Sequence, residues 1–114
     1  MLLSNADVGR LVRAGHRRQE FVFYDKHGYA NLRNNRGFCV FYDSMKSRCR
    51  VYEKRPSGCR IYPVIYIEQE GTTVDDLCPA KDTISEKELK RRSRKIKKLL
   101  QEMENEATQR KSFT

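Results

Sequence analysis

Apolar residues in this chain follow two rhythms. Near the start, Val8, Leu11 and Val12 recur at helical spacing inside "SNADVGRLVRAG". Ser4 or Asn5 can cap the N-terminus, Asp7 suits the positive end of the helix dipole, and Gly15 suits the position just past the last turn. The pattern predicts a short helix over residues 4–15, weakened at Gly9. The rhythm then shortens. "EFVFYDKHGYANLRN" reads as a hairpin in which Phe21 to Tyr24 runs out, "DKHG" turns and Tyr29 to Leu32 returns. "FCVFYD" and "CRVYE", joined by "SMKSR", read as a second hairpin. In "RPSG", Pro56 and Gly58 break regular structure. "IYPVIYIEQ" reads as a further strand with Pro63 at its start or at a sheet edge, and "EGTT" turns it.

Helical spacing returns at Ser85. Ser85 and Glu88 form a capping box, and Leu89, Ile96, Leu99, Leu100 and Met103 make a narrow apolar stripe. A helix is expected over residues 85–107, packed on a domain made by residues 1–84, with 108–114 as a flexible tail. No internal repeat is visible. The fold expected is α+β: one small domain with an N-terminal helix, short antiparallel strands around the cysteines and a long C-terminal helix.

Charge adds a second theme. The chain has 114 residues and a net charge of +9, which attracts RNA, DNA or an acidic protein face. The densest run, "KELKRRSRKIKK", puts Lys90, Arg91, Arg94, Lys95 and Lys98 on the last helix as candidate nucleic-acid contacts. The competing reading is a solvated helix face. No RNP-like motif, helix-turn-helix or aromatic platform supports sequence-specific reading of bases. No apolar run reaches the roughly 20 residues of a membrane span. "MLLSNADVG" turns polar too soon for a signal peptide, so a cytoplasmic protein is expected. Ser-His-Asp, P-loop and G-x-G-x-x-G patterns are absent, and Asp75 and Asp76 would face opposite sides of an extended chain, so no catalytic motif is visible. His16 at a helix end and His27 in a turn are expected to face solvent. Tyr42, Tyr52, Tyr62 and Tyr66 alternate with other strand residues and are expected in the core.

The four cysteines are Cys39, Cys49, Cys59 and Cys78, with nine, nine and eighteen residues between successive members. No C-x-x-C knuckle occurs, so spacing alone is a weak metal signal. Context says more. Cys49 lies between Arg48 and Arg50, and Cys59 lies between Gly58 and Arg60. Neighbouring guanidinium groups are expected to lower the thiol pKa and favour thiolate, the form that binds soft metals. Pro56 stiffens this stretch and Gly58 lets it turn tightly. Cys78 precedes Pro79 beside Asp75 and Asp76. On these grounds the cysteines can be small buried hydrophobes, halves of disulfides or metal ligands.

The order "GFCVFYD", "RCRVYEKRPSGCRIYP", "DDLCP" resembles the YkgJ-type cysteine-cluster family, described as a zinc- or iron-chelating domain. The likeness runs from about Gly37 to Pro79, and "MLLSNADVGRLV" is similar to the helix ahead of the family's core. Its specific element is R-P-x-x-C-R, here Arg55, Pro56, Cys59 and Arg60. The resemblance implies Cys39, Cys49, Cys59 and Cys78 as metal ligands, with Zn²⁺ or an iron–sulfur cluster as cofactor, and Zn²⁺ slightly ahead. Family members carry a C-x-x-C cluster before the helix, and this chain has none; the expectation is a start further upstream or a reduced site. Four thiolates suffice for one Zn²⁺ in a closed structural site or for one cubane cluster, and not for two sites. The resemblance supplies no defined reaction. The alternative is a basic nucleic-acid-associated module whose cysteines are structural or disulfide-bonded.

Overall fold

The computed structural model describes residues 1–78 and 81–112. Its first layer is a three-stranded antiparallel sheet. Here β1 (Leu2–Leu3) and β2 (Val22–Tyr24) flank β3 (Ala30–Leu32), with Leu3 opposite Ala30 and Val22 opposite Leu32. The β2–β3 hairpin is the expected one. Its turn is shaped by Asp25, whose Oδ1 accepts from the amides of His27 (2.9 Å) and Tyr29 (3.1 Å). β1 is an addition to the expected set, since two residues carry no readable alternation. Helix α1 (Asn5–Arg13) follows β1 and is capped by Ser4. Helix α2 (Arg18–Phe21) is a single turn that takes Phe21 out of the expected strand.

The cysteine-bearing half consists of very short elements. β4 (Asn34–Asn35) pairs with β5 (Phe38–Cys39), and β6 (Tyr42–Asp43) pairs with β7 (Arg48–Cys49). The expected second hairpin is therefore present in the β6–β7 pair, while the start of "FCVFYD" pairs backwards with Asn34–Asn35. A 3₁₀ turn at Tyr52–Lys54 leads to helix α3 (Ser57–Ile61). The "RPSG" segment thus does not end regular structure. Pro56 caps a helix that Ser57 and Gly58 begin, and its carbonyl accepts from the amides of Cys59 (3.0 Å) and Arg60 (3.2 Å). Proline lacks only a donor that a helix start leaves unused. β8 (Val64–Ile67) is the expected further strand. "EGTT" belongs mostly to its partner β9 (Gly71–Val74), paired Val64 to Val74 and Tyr66 to Thr72. A second 3₁₀ turn, Lys81–Thr83, precedes helix α4 (Glu86–Ser112).

Two apolar clusters hold these pieces. Leu3, Val8, Leu11, Phe21, Val22, Ala30, Leu32, Phe41 and Val51 form the first, with Cys39 and Cys49 packed at its edge. Ile61, Val64, Leu99 and Met103 form the second, joined by Leu2, Leu89, Ile96 and Leu100. The apolar stripe of α4 therefore docks as its spacing predicts, against α3 and the β8–β9 hairpin. Each such buried aliphatic side chain is worth about 1.5–3 kcal/mol. Among the described residues no helix is long and apolar enough to cross a membrane.

Helix α4 runs past its expected end at 107 to Ser112, and residues 113 and 114 of the expected tail lie outside the described residues. Tertiary contacts carry the extension, because "TQRKS" has no apolar stripe of its own. Ala107 is buried, and the Glu106 carboxylate accepts from the Asn5 amide at 2.9 Å. The Arg110 guanidinium donates to the Gly28 carbonyl at 2.7 Å and lies 5.1 Å over the Tyr24 ring.

Gly28 makes this docking possible. It has φ +87°, and a Cβ there would stand 2.7 Å from the Ala107 carbonyl oxygen. Gly28→Ala therefore both strains the turn and pushes α4 away. It is expected to lower stability by at least about 1 kcal/mol, read as a lower urea midpoint, whereas alanine at Gly37, where a Cβ meets nothing within 4 Å, costs only the strain of its own φ of +84°.

Candidate metal centre

The geometry of the thiols begins with a carboxylate on α1. Asp7 is buried, and with Ser4 it forms a reciprocal capping box: the Asp7 amide donates to Ser4 Oγ (3.1 Å), and the Ser4 amide donates to Asp7 Oδ2 (3.2 Å). Its other oxygen, Oδ1, accepts from Arg10 Nη2 (2.8 Å), the Ser57 amide (3.0 Å) and Ser57 Oγ (2.9 Å). The Arg10 guanidinium continues to the Arg55 carbonyl at 3.0 Å. Helix α1 thus holds the start of α3 from both sides of Pro56, and α3 carries Cys59. Burial works to raise the Asp7 pKa, but the Arg10 guanidinium, the Ser4 amide and both donors of Ser57 outweigh it and hold the pKa below the usual 3.8.

Three cysteines from three elements line one cleft of about 480 Å³: Cys39 at the end of β5, Cys49 at the end of β7, and Cys59 in the middle of α3. Each is half-buried and all four cysteines are free, which does not favour the disulfide-bonded alternative. Tyr42, Tyr52 and Tyr62 share the cleft with Arg55, Arg60 and Arg92. The three thiols are near enough to act on one another electrostatically. Burial pushes the Cys59 thiol up to about 11, and the neighbouring Cys39 and Cys49, then Asp7, add to the effect. That reverses the expected lowering by arginine.

The reason is where the arginines point. Arg50 donates to the Val40 carbonyl (2.7 Å), and Arg60 to the Glu53 carbonyl (3.2 Å). Arg55 donates to the Tyr52 carbonyl (2.8 Å) and stacks 4.2 Å from the centre of the Tyr52 ring. Their charge goes to backbone and ring rather than to sulfur. Arg92 of α4 likewise donates to the carbonyls of Ile61 (3.3 Å) and Tyr62 (3.0 Å), which caps the C-terminal end of α3 beside the cleft.

Cys78 stands apart from these three. It is not among the residues lining the cleft. Its amide donates to the Asp75 carbonyl (3.1 Å), and its carbonyl accepts from the Lys81 amide (3.1 Å). Tyr62, which lines the cleft, donates its hydroxyl to Asp75 Oδ2 at 2.6 Å. That bond pushes the Tyr62 phenol up to about 12, with Cys78 near enough to contribute. Pro79 lies outside the described residues. Among the described residues no group of three or more His, Cys, Asp or Glu side chains converges as a metal-ligand set. The donor chemistry of Cys39, Cys49 and Cys59 nonetheless fits a soft metal: three thiols, half-shielded from water, around one opening.

The remaining candidates separate clearly. His16 packs edge-on against Phe41 (5.0 Å between ring centres) and is half-buried rather than solvated, whereas His27 is exposed in its turn. Tyr42, Tyr52, Tyr62 and Tyr66 are exposed, contrary to the expected core packing, and three of them rim the cleft. Lys90 and Arg94 are exposed on α4, while Arg91, Lys95 and Lys98 line a separate hollow beside α3. Asp7 and Arg92 were not anticipated at the site. Ser4-x-x-Asp7 does carry a local signal, that of a capping box, but its partner fifty residues on does not show in sequence.

Residues 2–79 match the model of the CxxCxxCC family, described as "Putative zinc- or iron-chelating domain". Neither a curated protein nor a solved structure matches the chain.

Because Asp7 titrates below its ordinary value in the fold, the stability it contributes is present above the unfolded pKa near 3.8 and is lost as pH falls through the lowered folded value. Asp7→Asn keeps the shape but leaves Arg10 and Ser57 without their anion. It is expected to cost about 3 kcal/mol at neutral pH and to flatten the acid limb of stability against pH, measured by urea unfolding. An unchanged acid limb in the variant contradicts this assignment.

Proposed function

The chain belongs to the CxxCxxCC family, and we propose that it binds a soft metal through Cys39, Cys49 and Cys59, with Cys78 as the fourth ligand. The observation that carries this reading is that three cysteines, with nine residues between neighbours along the chain, line one cleft. The elements presenting two of them are two-residue strands, whose few ladder bonds let them close on an ion at little cost. Cys59 sits on the more firmly anchored element, since Asp7 and Arg10 fix the turn before it. It is therefore the ligand about which the others arrange.

Zn²⁺ is favoured over an iron–sulfur cluster. Zinc can be held by the three thiols of the cleft with a variable fourth ligand, whereas a cubane cluster calls on all four thiolates, and Cys78 does not line the cleft. Entry of Cys78 completes a closed site in which the metal contributes folding energy. Free thiols in this number suit a reducing compartment, and we place the protein in the cytoplasm.

Elemental analysis with an absorption spectrum, after anaerobic purification, tests the assignment. A metal-to-protein ratio of about one is expected, falling to near zero in Cys59→Ser, while Cys78→Ser retains metal but yields it to a weaker chelator. A visible absorption band with iron in the analysis would replace zinc by a cluster. Parental metal content in Cys59→Ser would overturn the ligand assignment.

A further inference from the structure

A second hollow, of about 290 Å³, lies where α3 meets α4. Its floor includes Ile61 and Leu99, both members of the second apolar cluster, so packing fixes the backbone on either side. Five cations line it, Arg60, Arg91, Arg92, Lys95 and Lys98, against the one lining carboxylate of Glu102. Part of this charge is already engaged. Glu88 accepts from Arg91 (2.9 Å) and Arg92 (2.7 Å), and Arg92 also holds the carbonyls at the end of α3. Arg60 uses one terminal nitrogen on Glu53 and keeps its other donors. Among the described residues Lys95 and Lys98 make no hydrogen bond or ion pair.

We propose that this hollow binds a small phosphate-bearing molecule, with Lys95 and Lys98 as point charges and Arg60 as the planar donor. Guanidinium groups match phosphate oxygens in pairs, and ammonium groups add charge without fixed direction, so the set suits a compact polyanion. The shape argues for a small ligand over a nucleic-acid strand. Lys90 and Arg94 are not on its walls, so the basic run of α4 does not form one continuous track, and the volume is at the small end for a ligand pocket. The hollow shares Arg60 and Arg92 with the thiol cleft, so the ligand would sit beside the cysteines. The inference does not rest on the metal reading.

Calorimetric titration of the full chain with inorganic pyrophosphate at low salt tests it. One saturable site is expected. Lys95→Gln with Lys98→Gln is expected to weaken it by about tenfold or more, while Lys90→Gln with Arg94→Gln, which removes the same charge, changes it less than about twofold. Both variants alter exposed side chains and are expected to keep the parental circular dichroism and metal content. Absence of saturable heat, or equal weakening in both pairs, overturns the proposal. So does an oligonucleotide that binds where pyrophosphate does not, which would assign the charge to a polymer. The metal assay reports separately, so failure of one reading leaves the other standing.

Discussion

Asp7 accepts hydrogen bonds from four donors that lie in two segments fifty residues apart, and it is fully buried. Burying a carboxylate costs several kcal/mol unless nearly every lone pair finds a donor. Here that demand is met jointly: by the start of α1, by Arg10 one turn later, and by both donors of Ser57. Among the described residues no buried side-chain polar atom lacks a partner. The consequence is positional. The chain between Lys54 and Ser57 can be satisfied only where Asp7 and Arg10 already stand, so α3 starts at one place on α1. Cys59 inherits that place two residues later.

The other wall of the cleft depends on α4. Its apolar stripe packs against Ile61 and Val64, which brings Arg92 to the open carbonyls at the end of α3. Those carbonyls carry the negative end of a short helix, and the Arg92 guanidinium satisfies them at the wall of the thiol cleft. Arg55 and Arg60 behave alike, since each is bound to a backbone carbonyl. A cleft rich in arginine therefore does not lower the Cys59 thiol, which burial first and the neighbouring Cys39 and Cys49 next push up to about 11. Proximity in sequence does not deliver charge to sulfur when a nearer acceptor exists.

The same distinction explains what could be read from the sequence. Helix α1, the β2–β3 hairpin and the docking face of α4 rest on local periodicity, and all three are legible. The capping role of Ser4 is legible too. Elements of two residues, such as β1 and β4, hold no period and arise from pairing partners alone. Helix α3 is hidden by Pro56 and Gly58, which read as breakers; Asp7 supplies the missing acceptor, and Arg10 a donor, from a distance. β9 is masked by Gly71, whose φ of +83° belongs to the turn before it. At the site, the motif order points to Cys39, Cys49 and Cys59 together, while the place of Cys78 outside their cleft has no signature in the sequence. The tyrosines are exposed for a related reason: alternation predicts burial only for strands long enough to have a core side.

The family likeness covers residues 2–79, and α4 begins at Glu86. The thiols and their support through Asp7 fall inside the shared region. Arg91, Arg92, Lys95 and Lys98 fall outside it. One wall of the thiol cleft, and most of the cations of the neighbouring hollow, are thus supplied by a helix that the family pattern does not specify. A domain assembled this way can keep one set of sulfur donors while the helix laid across it sets the charge at the entrance. Since α4 is anchored along its length, by Arg92 on the Ile61 and Tyr62 carbonyls, by Leu99 in the second apolar cluster at its middle and by Arg110 on Gly28 near its finish, those cations are held against the cysteine half as a fixed surface rather than as a loose basic tail.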